Sequence, residues 1–315
     1  MLAAAPAISV RNLRKDYGSV HALTGIDLDI ERGEVFAMLG PNGAGKTTLT
    51  EILEGYRRRS HGDATVLNVD PAEGDRMWRA RLGIVLQSTY SFADLAVEEV
   101  VEYFRRFYPA PLPLDALIDL AGLEEKRHAR CGTLSGGQRR RVDLAIGMAG
   151  DPELIFLDEP TTGFDPEARR HTWDVVREFA SRGKTVLLTT HYLDEAEALA
   201  DRVGVIVSGE LLGVAPPKEL GGRARGKSCI TLALTGGLAA HPLPPLPGDV
   251  VVDGAAATIV TDAPTATVAA LIAWAREAGV DELPAFAVTR PSLEDVYLAM
   301  TGHEAATTRG AEAIS

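Results

Sequence analysis

Residues 40–47 have the composition of a loop that holds a chain of phosphate groups, since they read Gly-Pro-Asn-Gly-Ala-Gly-Lys-Thr. The stretch matches the pattern GxxxxGK[ST], in which glycines let the backbone turn tightly and point several N–H groups at one anion. Lys46 adds a positive charge for the β- and γ-phosphates, and the Thr47 hydroxyl is suited to binding Mg²⁺. The predicted nucleotide-binding residues are Gly40, Pro41, Asn42, Gly43, Ala44, Gly45, Lys46, Thr47 and Thr48.

A second stretch suited to an oxyanion, Leu134-Ser135-Gly136-Gly137-Gln138, lies further along the chain and carries no lysine. Ser135 can cap a helix and still donate its hydroxyl, while the two glycines leave the N–H groups of the first helical turn open to a ligand. Apolar residues at near-helical spacing predict a helix from residue 138 to residue 148. Taken alone, the stretch is better explained as an ordinary helix cap.

Polar residues also stand at the ends of three predicted strands. Asp158 and Glu159 follow one apolar run, Gln87 follows a second, and His191 follows a third. Because ligands of open α/β sheets bind at the carboxyl ends of the strands, Asp158 is placed to hold Mg²⁺ and Glu159 to orient or deprotonate a water molecule. A solvated turn is the alternative interpretation of the acidic pair.

The elements that must position these residues indicate an α/β fold. The uniformly apolar run 35–39 predicts a buried parallel strand immediately before the phosphate loop. Strand-like segments at 7–10 and 26–30 predict an antiparallel lobe, and the pattern changes to helices between Gln87 and Ser135. The predicted divisions are a first domain at 1–220 with a helical insertion at about 88–150, a small C-terminal α/β domain at 221–304, and a disordered tail at 305–315.

Composition excludes several classes of protein. A formal charge of −12 over 315 residues argues against a sequence-independent nucleic-acid binder. The basic clusters at 57–59 and 139–141 are short, and we interpret them as solvated helix faces or ion-pairing patches. Cys131 and Cys229 lack metal-ligand spacing and suit a reducing cytosol. No segment reaches the ~18 apolar residues that span a bilayer, so we expect a cytoplasmic chain whose pore, if it serves one, belongs to another polypeptide.

In their order along the chain, these motifs resemble those of the ATPase subunit of an ATP-binding cassette (ABC) transporter. The phosphate loop corresponds to the family's Walker A loop, residues 134–138 to its signature, and residues 154–159 to its Walker B strand. The resemblance implies that Glu159 is the catalytic carboxylate and that Tyr17 stacks on adenine. It also implies that Gln87 of the Q-loop and the switch residue His191 sense the γ-phosphate. Asp165 would belong to the D-loop at 162–165. Phe164 departs from the family, where leucine is commoner.

The resemblance also implies a fold, a metal site and partners. The fold is that of a P-loop NTPase cassette, with a mostly parallel core sheet, an antiparallel β lobe and a helical insertion. Mg²⁺ is held by Thr47, Gln87 and Asp158. Two copies of the chain enclose two ATP molecules head to tail, with residues 134–138 of each copy facing the ATP of the other. The region after Gln87 and the helical insertion dock a short cytoplasmic helix of a membrane permease on a separate chain.

A narrower resemblance concerns the end of the chain. Residues 291–297, which read Pro-Ser-Leu-Glu-Asp-Val-Tyr, and the pair Thr301-Gly302 resemble ATPase subunits of ABC-2-type exporters for drug and antibiotic self-resistance, of the daunorubicin-resistance kind. The implied function is ATP hydrolysis that drives efflux of drugs or other hydrophobic compounds, at the cytoplasmic face of the membrane. A soluble ABC ATPase of a non-transport assembly is the first alternative. A small-molecule kinase is the second, although it leaves the signature and His191 without a role.

Overall fold

The computed structural model describes residues 5–86, 92–221, 227–290 and 292–301, and the chain divides into two compact units between Pro217 and Lys218. In chain order, the strands of the first unit are β1 (Ile8–Tyr17), β2 (Val20–Ile30), β3 (Val35–Leu39), β4 (His61–Val66), β5 (Leu82–Val85), β6 (Leu154–Asp158), β7 (Thr185–Thr190), β8 (Arg202–Val207) and β9 (Glu210–Ala215). Its α-helices are α1 (Lys46–Leu53), α2 (Arg76–Arg79), α3 (Val97–Arg105), α4 (Leu114–Leu120), α5 (Gly136–Met148), α6 (Pro166–Ser181) and α7 (Leu193–Leu199). Single turns of 3₁₀ helix cover Pro71–Glu73, Glu124–Lys126 and Cys131–Thr133.

The core of the first unit is a six-stranded sheet with the order β5-β6-β7-β3-β8-β9. Its strands are parallel except for β9, which pairs antiparallel with β8. Every residue of β3 and β7 is buried, which explains why these segments are continuous apolar or small-residue runs rather than alternating ones. Phe36 of β3 and Phe156 of β6 are among the largest fully buried side chains. The predicted α/β fold with a mostly parallel core sheet is confirmed.

Three neighbouring strands of this sheet end at the same edge. Leu39, at the end of β3, pairs with Thr190 of β7, and Asp158, at the end of β6, pairs with Thr189 of β7. The strands run parallel, so the segments that leave them start side by side. Those segments are the phosphate loop, the loop that begins with Glu159, and the loop that begins with His191.

A three-stranded antiparallel sheet with the order β2-β1-β4 forms the predicted β lobe. Its first two strands are longer than the sequence suggested, because β1 continues to Tyr17 and β2 begins at Val20. The pairing of β1 with β2 shifts register after Val10 and again before Asp16. These irregularities interrupt the alternation of buried and exposed residues by which a strand is recognised in sequence.

The second unit contains strands β10 (Ser228–Ala233), β11 (Asp249–Asp253), β12 (Ala256–Thr261) and β13 (Ala287–Thr289), with helices α8 (Pro264–Glu277) and α9 (Leu293–Met300) and a 3₁₀ segment at Gly236–Ala240. The strands form an antiparallel sheet with the order β11-β12-β10-β13. Its core joins Ile230 and Ile259 of the sheet to Leu271 and Trp274 of α8.

Among the described residues, no helix is long and apolar enough to cross a membrane. The predicted tail at 305–315 lies outside the described residues. The predicted boundary at 220, and the extent of the helical insertion, stay predictions.

Candidate functional site

The loop between β3 and α1 has a backbone that requires glycine. Gly43 and Gly45 have φ values of 80° and 109°, in the left-handed region that side chains rarely adopt. A Cβ atom on Gly40 would lie 2.3 Å from the carbonyl oxygen of Ile206. Gly45 is also the N-cap of α1, where no side chain caps the first turn of the helix. The N-terminal N–H groups of α1 are therefore not engaged by a side-chain cap and can face an anion.

Lys46 is a buried cation at the start of α1, with 5% of its surface exposed. Its Nζ donates to the carbonyl oxygens of Gly40 at 2.7 Å and Pro41 at 3.2 Å, and lies 3.7 Å from Oε1 of Glu159. Burial lowers the pKa of Lys46, an effect that the carboxylates of Glu159 and Asp158 partly offset. An ammonium has three donors, of which the carbonyls take two. A phosphate oxygen fits the remaining donor and supplies the negative charge that this buried cation favours.

Glu159 connects this lysine to His191. Its Oε1 lies 3.3 Å from Nδ1 of His191, and its Oε2 accepts a hydrogen bond from the Thr162 hydroxyl at 3.1 Å. The backbone of Glu159 has φ of 44°, which is uncommon for a residue with a side chain, and its N–H donates to the carbonyl of Thr189 at 3.1 Å. The structure therefore brings together Lys46, Glu159 and His191, which the sequence places far apart.

Asp158 holds a carboxylate beside this cluster. Its Oδ1 accepts a hydrogen bond from the Thr189 hydroxyl at 2.5 Å, and its charge raises the pKa of Lys46 against the effect of burial. Thr47, the other described residue of the predicted Mg²⁺ site, is exposed in the first turn of α1. Gln87 lies outside the described residues.

A magnesium ion fits this donor set. Mg²⁺ typically binds through one or two carboxylates, substrate phosphates and water rather than through a protein cage. Among residues 5–86, 92–221, 227–290 and 292–301, no group of three or more His, Cys, Asp or Glu side chains could hold a metal on its own. The hydroxyl of Thr47 and the carboxylate of Asp158 are the described oxygen donors for such an ion.

The second predicted oxyanion loop forms the N-terminus of α5. The Ser135 hydroxyl oxygen accepts a hydrogen bond from the N–H of Gln138 at 3.2 Å, and the Gln138 side chain accepts one from the N–H of Ser135 at 3.0 Å. Gly136 has open space where a Cβ would point, whereas a Cβ on Gly137 would lie 2.8 Å from Cβ of Ala168 in α6. Leu134 is buried. Among the described residues, Ser135 and the two glycines make no hydrogen bond to Lys46 or His191.

Tyr17 and Asp165 occupy the other predicted positions. The Tyr17 ring is 40% exposed, and the Nζ of Lys15 and Cζ of Arg57 lie 4.9 Å and 5.3 Å from its centroid. The ring is thus accessible to a base, and its π-electrons attract the two cations. Asp165 is the N-cap of α6, where its Oδ1 accepts a hydrogen bond from the N–H of Ala168 at 2.8 Å.

The interpretation of the basic cluster at 139–141 as a solvated helix face or an ion-pairing patch is wrong for Arg140, which is only 3% exposed and donates to backbone carbonyls. Successive residues of a helix point about 100° apart, so three adjacent arginines cannot all face the solvent. Arg140 shares its face of α5 with the buried residues Leu144 and Met148. This spacing of four residues along the helix is the sequence signal from which the burial of Arg140 could have been predicted.

Glu54 is a further residue that sequence reasoning missed. It is the C-cap of α1 and is partly buried. Burial raises the pKa of Glu54 from 4.5 to about 7, and the nearby carboxylates of Asp158 and Glu51 contribute to the rise. The phosphate loop is therefore followed by a carboxyl group that ionises near neutral pH.

Comparison with known proteins agrees with this geometry. Residues 23–162 match a family model described as ABC transporter, and residues 228–292 match one described as the C-terminal domain of ABC transporter domain-containing proteins. The chain is 38% identical over 311 residues to the daunorubicin resistance ATP-binding protein DrrA3 of Streptomyces coeruleorubidus, which covers 95% of this chain and 96% of the relative. It is 40% identical over 221 residues to the Nod factor export ATP-binding protein I of Rhizobium meliloti, over 68% of this chain and 65% of that protein.

Among solved structures, cbiO1 of Clostridium perfringens, described as part of the ABC transporter complex cbiONQ, superimposes with a TM-score of 0.62. The two sequences are 29% identical, and the superposition covers 69% of this chain and 90% of the cbiO1 chain. The fold and the site thus define a P-loop ATPase cassette. The chain belongs to the family of ABC transporter ATP-binding proteins, which confirms the resemblance drawn from its motifs.

Replacing Glu54 with glutamine tests the electrostatics beside the phosphate loop. A carboxyl whose pKa is raised on folding destabilises the folded state once it ionises, so its cost grows as the pH rises from about 4.5 through about 7. Without nucleotide or metal, Glu54→Gln should increase the free energy of unfolding by about 2–3 kcal/mol at pH 8 and change it little at pH 4.5. Urea unfolding at both pH values measures this difference. Glu167→Gln, at an exposed side chain, is the control, and an equal gain at both pH values would contradict the assignment.

Proposed function

We propose that this chain hydrolyses ATP as the energy-coupling subunit of an exporter whose membrane subunit is a separate polypeptide. The convergence of Lys46, Glu159 and His191 at the ends of three adjacent strands is the observation that carries this proposal. It supports phosphoryl transfer, which asks a protein mainly for positioning and for stabilisation of negative charge.

The described contacts suggest which residue serves which part of phosphoryl transfer. The glycine loop and Lys46 would hold the phosphates, while Thr47, Asp158 and Gln87 would hold Mg²⁺. When bound, Mg²⁺ neutralises charge on the phosphate oxygens. One oxygen of Glu159 is the counter-ion of Lys46 and lies 3.3 Å from Nδ1 of His191. A γ-phosphate competes for both groups, which releases the Glu159 carboxylate to orient the attacking water.

The γ-phosphate needs further donors, and we propose that a second copy of the chain supplies them. The hydroxyl of Ser135 and the N–H groups of Gly136 and Gly137 suit an anion, yet they make no described hydrogen bond to Lys46 of their own chain. A head-to-tail dimer would place this loop against the ATP of the other copy. Each charge-assisted contact is worth ~1.5–3 kcal/mol, so several contacts favour the closed dimer only while the γ-phosphate is present. Hydrolysis then removes that preference and opens the dimer.

The proposed direction of transport and the proposed class of cargo are based on the names of the relatives. The protein of Streptomyces coeruleorubidus, which aligns with nearly the whole chain, is named for daunorubicin resistance, and that of Rhizobium meliloti for export of Nod factor. These names support efflux of drugs or other hydrophobic compounds, from a position at the cytoplasmic face of the membrane. They disfavour the soluble non-transport ATPase and the small-molecule kinase.

A groove between α2 and the end of α3 is the surface we propose for the membrane subunit. It encloses about 490 Å³, and its lining includes Arg76, Met77, Arg79 and Phe107. Met77 and Phe107 are 62% and 53% exposed, which is high for apolar side chains of this size. Arginines beside exposed apolar groups suit an acidic helix with an apolar anchor. We therefore expect the permease to present such a helix.

Replacing Glu159 with glutamine tests the catalytic assignment. The amide keeps the size of the side chain but cannot act as an anionic partner of the attacking water. ATP hydrolysis should fall by a factor on the order of 1,000, whereas the Kd for ATP should stay within about threefold. Phosphate release and calorimetric ATP binding measure the two quantities. Normal turnover by the variant would exclude Glu159 as the catalytic carboxylate.

Ser135 tests the contribution of the second copy. Ser135→Ala should leave ATP binding to the monomer unchanged, because we propose that the hydroxyl contacts the nucleotide of the other copy. Dimerisation induced by ATP should weaken by about tenfold or more, as expected for the loss of one charge-assisted hydrogen bond. Sedimentation in a Glu159→Gln background, with and without ATP, separates the two effects. Unchanged dimerisation would refute a role for Ser135 in the partner's site.

Charge reversal tests the groove. Arg76→Glu combined with Arg79→Glu should reduce co-purification with the co-expressed membrane subunit, because an acidic helix would be repelled. ATP hydrolysis by the isolated chain should stay within about twofold, since neither arginine contacts the nucleotide cluster. Arg182→Glu, at an exposed position near the end of α6, controls for a change of surface charge. Retention of the membrane subunit by the double variant would remove the groove from the interface.

A further inference from the structure

Arg140 is a buried cation that the proposed mechanism does not use. It lies on α5 two residues after Gln138, and 3% of its surface is exposed. Burial lowers the pKa of Arg140, an effect partly offset by the carboxylates of Asp143, Asp158 and Glu195. A guanidinium in such surroundings needs its N–H groups satisfied by precise hydrogen bonds.

Its three hydrogen bonds go to backbone carbonyls at the ends of two strands. Nε donates to Pro160 at 3.2 Å, Nη2 donates to Asp158 at 2.9 Å, and Nη1 donates to Leu86. Asp158 and Pro160 are the neighbours of Glu159, and Leu86 directly precedes Gln87. One side chain on the signature helix therefore holds the backbone on both sides of the predicted catalytic carboxylate.

The segment that carries Glu159 needs such support. The residue has φ of 44°, a backbone region that residues with a side chain occupy only when their surroundings impose it. On its far side the segment is fastened to α7, where the Thr161 hydroxyl donates to the buried carboxylate of Glu195 at 2.8 Å. Arg140 connects the segment to α5, the helix that has Ser135 at its N-terminus.

We infer that Arg140 is a positioning residue for ATP hydrolysis. Through its hydrogen bonds, the position of the signature helix determines the position of Glu159 and of the segment before Gln87. This inference rests on the proposed ATP hydrolysis. When α5 moves as Ser135 engages the partner's nucleotide, the carbonyls of Asp158, Pro160 and Leu86 follow it. Turnover thereby becomes dependent on dimer closure, whereas the glycine loop that binds ATP is not held by Arg140.

An arginine suits this role better than a lysine. The guanidinium is planar and presents five donors in fixed directions, so it can reach three carbonyls at once and keeps its charge when buried. A lysine in the same place would have three donors on one atom and a pKa lowered by burial. Lysine is therefore expected to restore only part of the turnover.

The test measures kcat, KM and the calorimetric Kd for ATP in Arg140→Gln, in Arg140→Lys and in Arg141→Gln. Arg141 is the matched control, because it lies on the same helix and donates to the carbonyls of Ala121 and Gly122, away from the catalytic strands. Arg140→Gln should lower kcat by a factor on the order of 100 while the Kd for ATP stays within about twofold. Arg141→Gln should keep kcat within about threefold.

The lysine variant gives a second readout. Its side chain keeps a positive charge but cannot reach all three carbonyls in fixed directions, so its kcat should lie between that of Arg140→Gln and that of the original protein, with the Kd for ATP within about twofold. A lysine variant with the kcat of the original protein would contradict the inference even if Arg140→Gln failed to fold. Equal loss of ATP affinity and kcat in Arg140→Gln, or unchanged kcat, would also overturn it.

Glu159→Gln, measured in parallel, separates this inference from the proposed function. If Glu159→Gln is inactive and Arg140→Gln is fully active, only the role of Arg140 fails. If Glu159→Gln hydrolyses ATP normally, the catalytic assignment itself fails.

Discussion

The structure depends on a buried positive charge at the point where three parallel strands end. Lys46 is withdrawn from water and has Glu159 as its nearest described carboxylate partner, at 3.7 Å. Moving an ammonium out of water is costly unless an anion compensates it. The parallel strands β3, β7 and β6 end at one edge of the sheet, and Glu159, the residue after Asp158, supplies that anion. The same carboxylate is thus the described counter-ion of Lys46 and the group that we propose to orient the attacking water.

The parts of this site that sequence could predict are those governed by local rules. The residues of the phosphate loop follow from the glycines and the lysine, since the backbone there must turn in ways that side chains forbid. The central strands follow from their uninterrupted apolar character, because both faces of a parallel sheet are covered. Helix α5 begins at Gly136, slightly earlier than the predicted start at residue 138, because the reciprocal hydrogen bonds of Ser135 and Gln138 include both glycines in the first turn.

Other features depended on contacts between distant segments and were not predictable in this way. The carbonyl groups that surround Arg140 come from β5, β6 and the loop after β6, so its burial follows from tertiary packing rather than from the composition of the cluster at 139–141. The left-handed backbone of Glu159 has no signal in its residue type. The hairpin that bears Tyr17 was underestimated because register shifts between β1 and β2 hide the period of two.

The close approach of α5 to α6 has a mechanical consequence. Gly137 leaves so little room that a methyl group there would collide with Ala168, which is itself fixed to Asp165 by the helix cap. The starts of the two helices are therefore in direct contact, with no space for a side chain between them. We expect a displacement of the start of α5 to move the start of α6 with it.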